Sequence, residues 1–148
     1  NNHFDAILCS EVFEHIFNLD EILQELHRVL KPNGIILITC PFLWKEHEVP
    51  HDFARYTRFA LESMMTKNDF ELVSFRKTGN FIEAITQLRL LFLFDHVYPF
   101  FNKTFLLRAP FKIVFFFIPN ALTRLLSKLF KIPKTIYLNN VAVYKKLK

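Results

Sequence analysis

The chain opens on a run that changes character within a dozen residues. Asp5-Ala6-Ile7-Leu8-Cys9-Ser10 is largely apolar, and Glu11-Val12-Phe13-Glu14-His15 follows at once with two carboxylates and an imidazole. A short apolar run bounded by polar residues reads as a buried strand. Asn18 then stands where a helix N-cap belongs, Glu21 three residues on completes a capping-box pattern, and Phe17 and Ile22 are spaced as a hydrophobic staple. Ile22, Leu23, Leu26, Val29 and Leu30 share one face at helical spacing, which predicts a helix from about Leu19 to Leu30. Lys31-Pro32-Asn33-Gly34 stops it as a turn. Ile35 to Thr39 is continuously apolar and β-branched, the pattern of a strand covered on both faces. Strand, helix and strand in this order form a βαβ unit, so the two strands are expected to run parallel.

Pro41 to Tyr56 has no period and reads as a loop. Thr57 caps a helix through about Lys67, Asn68 ends it, and Phe70 to Lys77 alternates as a strand. Phe81 to Phe94 is helical in pattern, four prolines then divide two apolar stretches between Tyr98 and Pro133, and Ile136 to Tyr144 closes the chain as a β-rich run. Asn139-Asn140 reads as a bulge or local turn within that run. A membrane span needs ~20 largely uncharged residues. Arg89 and Asp95 interrupt the first apolar stretch, and Arg108, Lys112 and Pro119 the second, so neither is expected to span. Asn120 to Lys131 is amphipathic: Leu122, Leu125, Leu126 and Leu129 form one face, and Arg124, Lys128 and Lys131 lie on another. That pattern suits a helix lying in a lipid interface, or a lid packed on its own domain.

The length of 148 residues fits one domain. With only Gly34 and Gly79, the chain has no glycine-rich nucleotide loop, which needs several glycines close together. It begins at Asn1, and the expectation is a partial chain. The net charge of +5 conceals a division. Residues 1–95 hold nine Lys/Arg and fourteen Asp/Glu, whereas residues 96–148 hold ten Lys/Arg and no acid. Cationic charge mixed with phenylalanine points to an anionic membrane surface, with a solvated basic surface over an aromatic core as the plainer alternative. Nucleic acid is a poorer fit, because the basic residues alternate with bulky aliphatics rather than exposed stacking platforms. Cys9 and Cys40 give no disulfide framework or metal spacing and read as small buried hydrophobes in a reducing compartment.

Four pieces of the chain stand in a telling order: "FDAILCSEVFEH", "LHRVLKPNGIILITCPF", "PHDFARYT" and the closing "NNVAVYKK". Together they resemble the second half of a class I S-adenosylmethionine-dependent methyltransferase of the type 11 group. The resemblance covers residues 3–78 well and the last strand more loosely. It implies an α/β fold: the C-terminal half of a Rossmann-like methyltransferase sheet, strands four to seven with the last pair antiparallel, and a helical, aromatic-rich insertion. The expected division is a core at 1–80, an apolar helical insertion at 81–133 and a closing strand at 134–148. Strands one to three would come from a missing N-terminal half, expected along the strand Asp5 to Ser10, whose edge is otherwise exposed.

The resemblance also implies residue roles. Cys9, Ser10 and Glu11 match positions that meet the methionine end of S-adenosylmethionine, and His15 matches a frequent histidine at the start of the following helix. His15 equally reads as a residue that holds its loop by hydrogen bonds. Pro41 and Phe42 would border the substrate space. The loop from Trp44 to Thr57 is the candidate for substrate contact, with His47 and His51 as candidate proton acceptors. Asp52 could orient one of them, although an Asp52–Arg55 pair that merely shapes the loop is the preferred reading. Glu11-x-x-Glu14-His15, with His47 or His51, could hold a divalent cation, as a similar run does in some O-methyltransferases; many near-identical runs in the group have no known metal, and no metal site is assigned. The expected activity is methyl transfer to a small-molecule or lipid-linked acceptor. The expected location is cytoplasmic, peripheral on the membrane. The alternatives are a non-catalytic half-fold interaction module and a membrane-surface binding protein.

Overall fold

A computed structural model of the chain describes residues 1–147. Lys148, the end of the expected closing segment, lies outside the described residues. Two compact units emerge, one of Asn1–Thr78 with the chain's end from Leu138, the other of Gly79–Tyr137.

The first unit is a four-stranded mixed sheet with two helices on one face. Strand β1 (Phe4–Ser10) leads through a short 3-10 turn at Phe13–His15 to helix α1 (Leu19–Val29) and strand β2 (Leu30–Pro41). Helix α2 (Arg58–Lys67), strand β3 (Phe70–Thr78) and, after the second unit, strand β4 (Asn139–Lys146) complete it. The order is β1-β2-β4-β3; β1 and β2 are parallel, and β4 lies between β2 and β3, antiparallel to both. This is the α/β arrangement expected, with the βαβ unit at its start and the last pair of strands antiparallel.

Several local expectations change. Asn18 stands at the N-cap of α1, but its side chain makes no capping bond. The helix stops before Lys31–Gly34 as expected, but this segment is not a separate turn: it is a bulged part of β2, between the pairs Phe4–Leu30 and Ala6–Ile35. Asn33 takes a left-handed φ of 65°, and a Cβ on Gly34 would sit 2.7 Å from Leu30 Cγ and 2.8 Å from the Lys31 carbonyl oxygen, so only glycine fits. Asn139 and Asn140 are not a bulge; they pair in register with Pro41 and Cys40 on β2. Ile136 to Leu138 precede the last strand instead of belonging to it.

The core explains why β2 alternates in burial rather than being covered on both faces. Leu19 and Leu23 of α1 and Leu61 and Met65 of α2 pack in one cluster with Ile36, Ile38, Cys40, Ala142 and Tyr144. Both helices therefore lie on the same side of the sheet. On the opposite side Leu8 and Ile35 remain exposed. Lys146, nearly buried, donates from Nζ to the His27 carbonyl (2.7 Å), the Leu30 carbonyl (2.8 Å) and Asn2 Oδ1 (2.9 Å). A cation thus meets the carbonyl end of α1, where the helix dipole favours it. Thr57 caps α2 as expected, its Oγ1 accepting from the Ala60 N–H at 3.2 Å.

The second unit is a helical hairpin. Its first arm joins α3 (Phe81–Phe92), a π turn at Leu93–Val97 and α4 (Tyr98–Asn102); its second joins α5 (Phe105–Lys112), a π turn at Ile113–Phe117 and α6 (Ile118–Leu129). Asn80 and Glu83 form a full capping box at the start. The expectation that charges and proline break the second stretch is corrected: Phe105–Leu129 is one helix of 25 residues, long and apolar enough to cross a membrane by length and composition. Pro99 and Pro119 each follow a π turn, whose wider spacing relieves the crowding a proline ring causes in a regular helix.

Candidate active site

The site is built where the parallel pair ends. Ligands in open α/β sheets bind beyond the carboxyl ends of the strands, and here β1 ends at Ser10. Ser10 Oγ lies 2.9 Å from Thr39 Oγ1, which binds β1 to its neighbour at the rim. Glu11 follows with a left-handed φ of 52°, an uncommon and costly conformation for a residue with a side chain. Its N–H donates to the Thr39 carbonyl at 2.8 Å and to Thr39 Oγ1 at 3.2 Å, which holds it there. Its carboxylate accepts from Asn139 Nδ2 at 3.2 Å. Ser10 and Glu11 are exposed, so this rim is open to a ligand. Cys9 is buried in the core and burial pushes its thiol pKa up; Cys40, deeper still, is pushed up to about 12. Both thiols are thus inert packing groups at neutral pH.

A second constellation forms where the Phe13–His15 turn meets the loop after β2. The Phe53 and Ala54 N–H groups donate to the Glu14 carbonyl at 2.8 and 3.2 Å, docking the loop on the turn. His15 Nδ1 donates to the His51 carbonyl oxygen at 2.7 Å, and its Nε2 lies 3.9 Å from both Glu14 Oε1 and Glu48 Oε2. His47 Nδ1 is 3.1 Å from Asp52 Oδ2, with an Arg55 guanidinium nitrogen 3.4 Å from the same ring atom. Asp52 also accepts from the His47 N–H at 3.0 Å and from both Arg55 guanidinium nitrogens at 2.5 and 2.6 Å. The Arg55 hydrogen bonds hold the Asp52 carboxyl well below the usual range. Both expectations for Asp52 are therefore met at once: it pairs with Arg55, and it orients His47. Arg55 ties the arrangement to the loop backbone through the Lys45 carbonyl at 3.0 Å.

Glu14 is the unexpected member. It is fully buried, and among the described residues neither carboxylate oxygen has a hydrogen-bond partner. Burial raises its pKa. His15 Nε2 stands 3.9 Å from Glu14 Oε1, and the His15 and His47 rings meet edge to face at 4.7 Å. Ligand atoms of Glu14, His15 and His47 lie within 4.8 Å of one another. The sequence-derived metal set is thus regrouped. Glu11 turns away to Asn139, and His51 contributes its backbone carbonyl while its ring stays exposed against Phe53. Sequence reasoning singled out Glu14 only as a metal candidate; the signal for its burial was Phe13 beside it, on a turn too short to face water on both sides. Beside this cluster, Trp44, Glu46, Asp52, Phe53, Ala54 and Arg55 line a shallow open depression of about 220 Å³.

Comparison with known proteins places this geometry. Residues 1–38 match the family described as "Methyltransferase domain". The mitochondrial ubiquinone biosynthesis O-methyltransferase of Rattus norvegicus is 50% identical over 36 residues, a stretch that is 24% of this chain and 10% of that protein. Among solved structures, a SAM-dependent methyltransferase from Archaeoglobus fulgidus superposes with a TM-score of 0.54 at 15% identity, over 99% of this chain and 61% of that one. The cyclase SpnF matches with the same TM-score of 0.54 and identity of 15%, over 99% of this chain and 51% of its own. This chain therefore spans about half to three-fifths of these two solved chains.

Proposed function

We propose that this chain, whose residues 1–38 match the methyltransferase domain family and whose fold is like that of a solved methyltransferase, forms one side of an S-adenosylmethionine site and serves methyl transfer to a small or lipid-linked acceptor. The observation that carries the reading is the rim at the end of β1. Glu11 is held in a strained conformation by Thr39, at the place where open α/β sheets receive ligands.

Ser10 and Glu11 fit one wall of such a site, with Thr39 and Asn139 bracing them. A chain with two glycines supplies no glycine-rich loop, so the remaining wall belongs to the rest of the fold, paired along β1. The bound cofactor supplies an electrophilic methyl group. The loop from Trp44 to Arg55 supplies the acceptor side. His47, oriented by Asp52 through Nδ1, would take a proton from an acceptor hydroxyl or amine at Nε2. Methyl transfer needs chiefly alignment, so His47 is an aid rather than a requirement. Exposed Trp44, Val49 and Phe53 on the same loop suit an acceptor with an apolar part.

A second reading is favoured by the unpartnered Glu14 carboxylate. Glu14, His15 and His47 would hold a divalent cation, each imidazole keeping its Nδ1–H on an oxygen as metal-ligating histidines do. A cation there would neutralise the buried carboxylate and polarise an acceptor hydroxyl.

Amide NMR of the chain titrated with S-adenosylhomocysteine tests the proposal. Weak binding is expected, with shifts confined to Ser10, Glu11, Thr39 and Asn139. Shifts confined to other surfaces, or none at saturating ligand, would remove the assignment.

A further inference from the structure

The hairpin of the second unit exposes what a soluble domain hides. Phe105–Leu129 is apolar enough to cross a membrane, yet only 6% of its most apolar window is buried. Along its length Phe111 and Thr123 alone are buried. Around the bend between the arms Phe100 is 73% exposed, Phe105 81% and Leu106 79%. Contiguous exposed apolar surface of this kind marks an interaction site.

Charge selects the occupant. Lys103, Arg108, Lys112, Arg124, Lys128 and Lys131 all lie on this stretch, and no acidic residue follows Asp95. Apolar surface interleaved with cations complements an anionic bilayer, whose phosphates and acyl chains sit at adjacent depths.

We propose that the bend of the hairpin and the residues around it, 92–118, insert into one leaflet of an anionic bilayer. Phe100, Phe105 and Leu106 enter the acyl boundary, and Lys103 and Arg108 reach back to the phosphates along their apolar stems. Aromatic contacts hold the inserted end together. Phe101 and Phe111 stack at 4.5 Å, Phe111 and Phe115 at 4.7 Å, and Lys112 lies 5.3 Å over the Tyr98 ring. Docking therefore orders little that is not ordered beforehand. An open groove of about 510 Å³ lined by Phe94, Tyr98, Ile113, Phe116 and Phe117, with Lys112 on its wall, is shaped for an acyl chain below an anionic headgroup. Arg89, Asp95 and His96 on the first arm favour insertion over a full crossing by both arms. The inference rests on the second unit alone and stands or falls separately from methyl transfer.

Co-sedimentation of the 148-residue chain with phosphatidylcholine vesicles, with and without phosphatidylglycerol, tests it. Binding to the anionic vesicles should be at least ~10-fold tighter and should weaken with salt. Phe105→Ser with Leu106→Ser should reduce it ~10-fold, since exposed side chains cost the fold little when changed. Phe59→Ser, on the first unit, should change nothing. The fluorescence of Leu106→Trp in a Trp44→Phe background should be quenched by brominated acyl chains. No binding to either vesicle, full binding by the double serine variant, or an indole reporter at position 106 that stays unquenched would overturn the proposal. So would an oligomer that the double variant splits without any vesicle binding, since a second copy would then be the occupant.

Discussion

Helices α1 and α6 carry the same kind of pattern and meet opposite fates. In α1 the apolar face delivers Leu19 and Leu23 into a core shared with the sheet and α2. In α6 Leu122, Leu125 and Leu129 stay exposed. Helical period tells which residues share a face; it does not tell what covers that face. The same contrast holds between the units as wholes. The first buries its apolar residues on one side of a sheet and keeps polar chemistry at the strand ends. The second holds itself together by an internal aromatic seam and leaves its outer apolar residues uncovered.

The largest expected effect sharpens this contrast directly. Leu23→Ala should cost about 2–5 kcal/mol in urea denaturation, because it empties a closed core position. Leu125→Ala should stay within about 0.5 kcal/mol. Equal losses would erase the distinction between the two helices.

Next comes the polar anchor of the first unit. Asp52→Asn removes the charge that four nitrogens bond to, and should cost about 1.5–3 kcal/mol, with His47 losing its orienting partner. Because the folded carboxyl titrates below its ordinary value, its contribution is present at neutral pH. It is lost only as the pH falls below that ordinary value and on through the folded one. The variant should therefore lose the steep acid limb of the stability curve, and an unchanged limb would show that Asp52 is not the residue responsible.

Glu14 has the opposite sign and the smallest effect. Its folded pKa is raised by burial, so its penalty is absent at acid pH and grows as the pH rises from the ordinary carboxylate value through the folded one. Glu14→Gln should therefore stabilise the chain at neutral pH by about 1 kcal/mol in thermal or urea melts. A divalent cation should stabilise the native chain at neutral pH and leave the variant unmoved; equal response of both would remove the cation reading.

Much of the first unit was legible in the sequence. The parallel pair, the intervening helix and the Thr57 cap follow from period, capping chemistry and the handedness of crossovers, and the antiparallel last pair from the resemblance. What escaped the sequence was non-local. Asn18 makes no side-chain cap although its identity suits one. The Ile35–Thr39 run looked two-sided because apolar content alone does not reveal that α1 and α2 fall on one face. Pro99 and Pro119 read as breaks, but each follows a π turn that accommodates it, and Pro110 lies within α5. In the site, the His47–Asp52–Arg55 cluster could be read from spacing within one loop. The approach of Glu14 and His15 to that loop could not, since it depends on backbone bonds from Phe53 and Ala54 across the fold.

Hydrogen–deuterium exchange of the intact chain tests the central claim, that the two units present separate surfaces to separate ligands. Anionic vesicles should slow exchange in residues 92–118 and leave β1 and β2 unchanged, while S-adenosylhomocysteine should slow exchange at Glu11 and its neighbours and leave the hairpin unchanged. Vesicles that protect the sheet while residues 92–118 exchange as before would contradict the account.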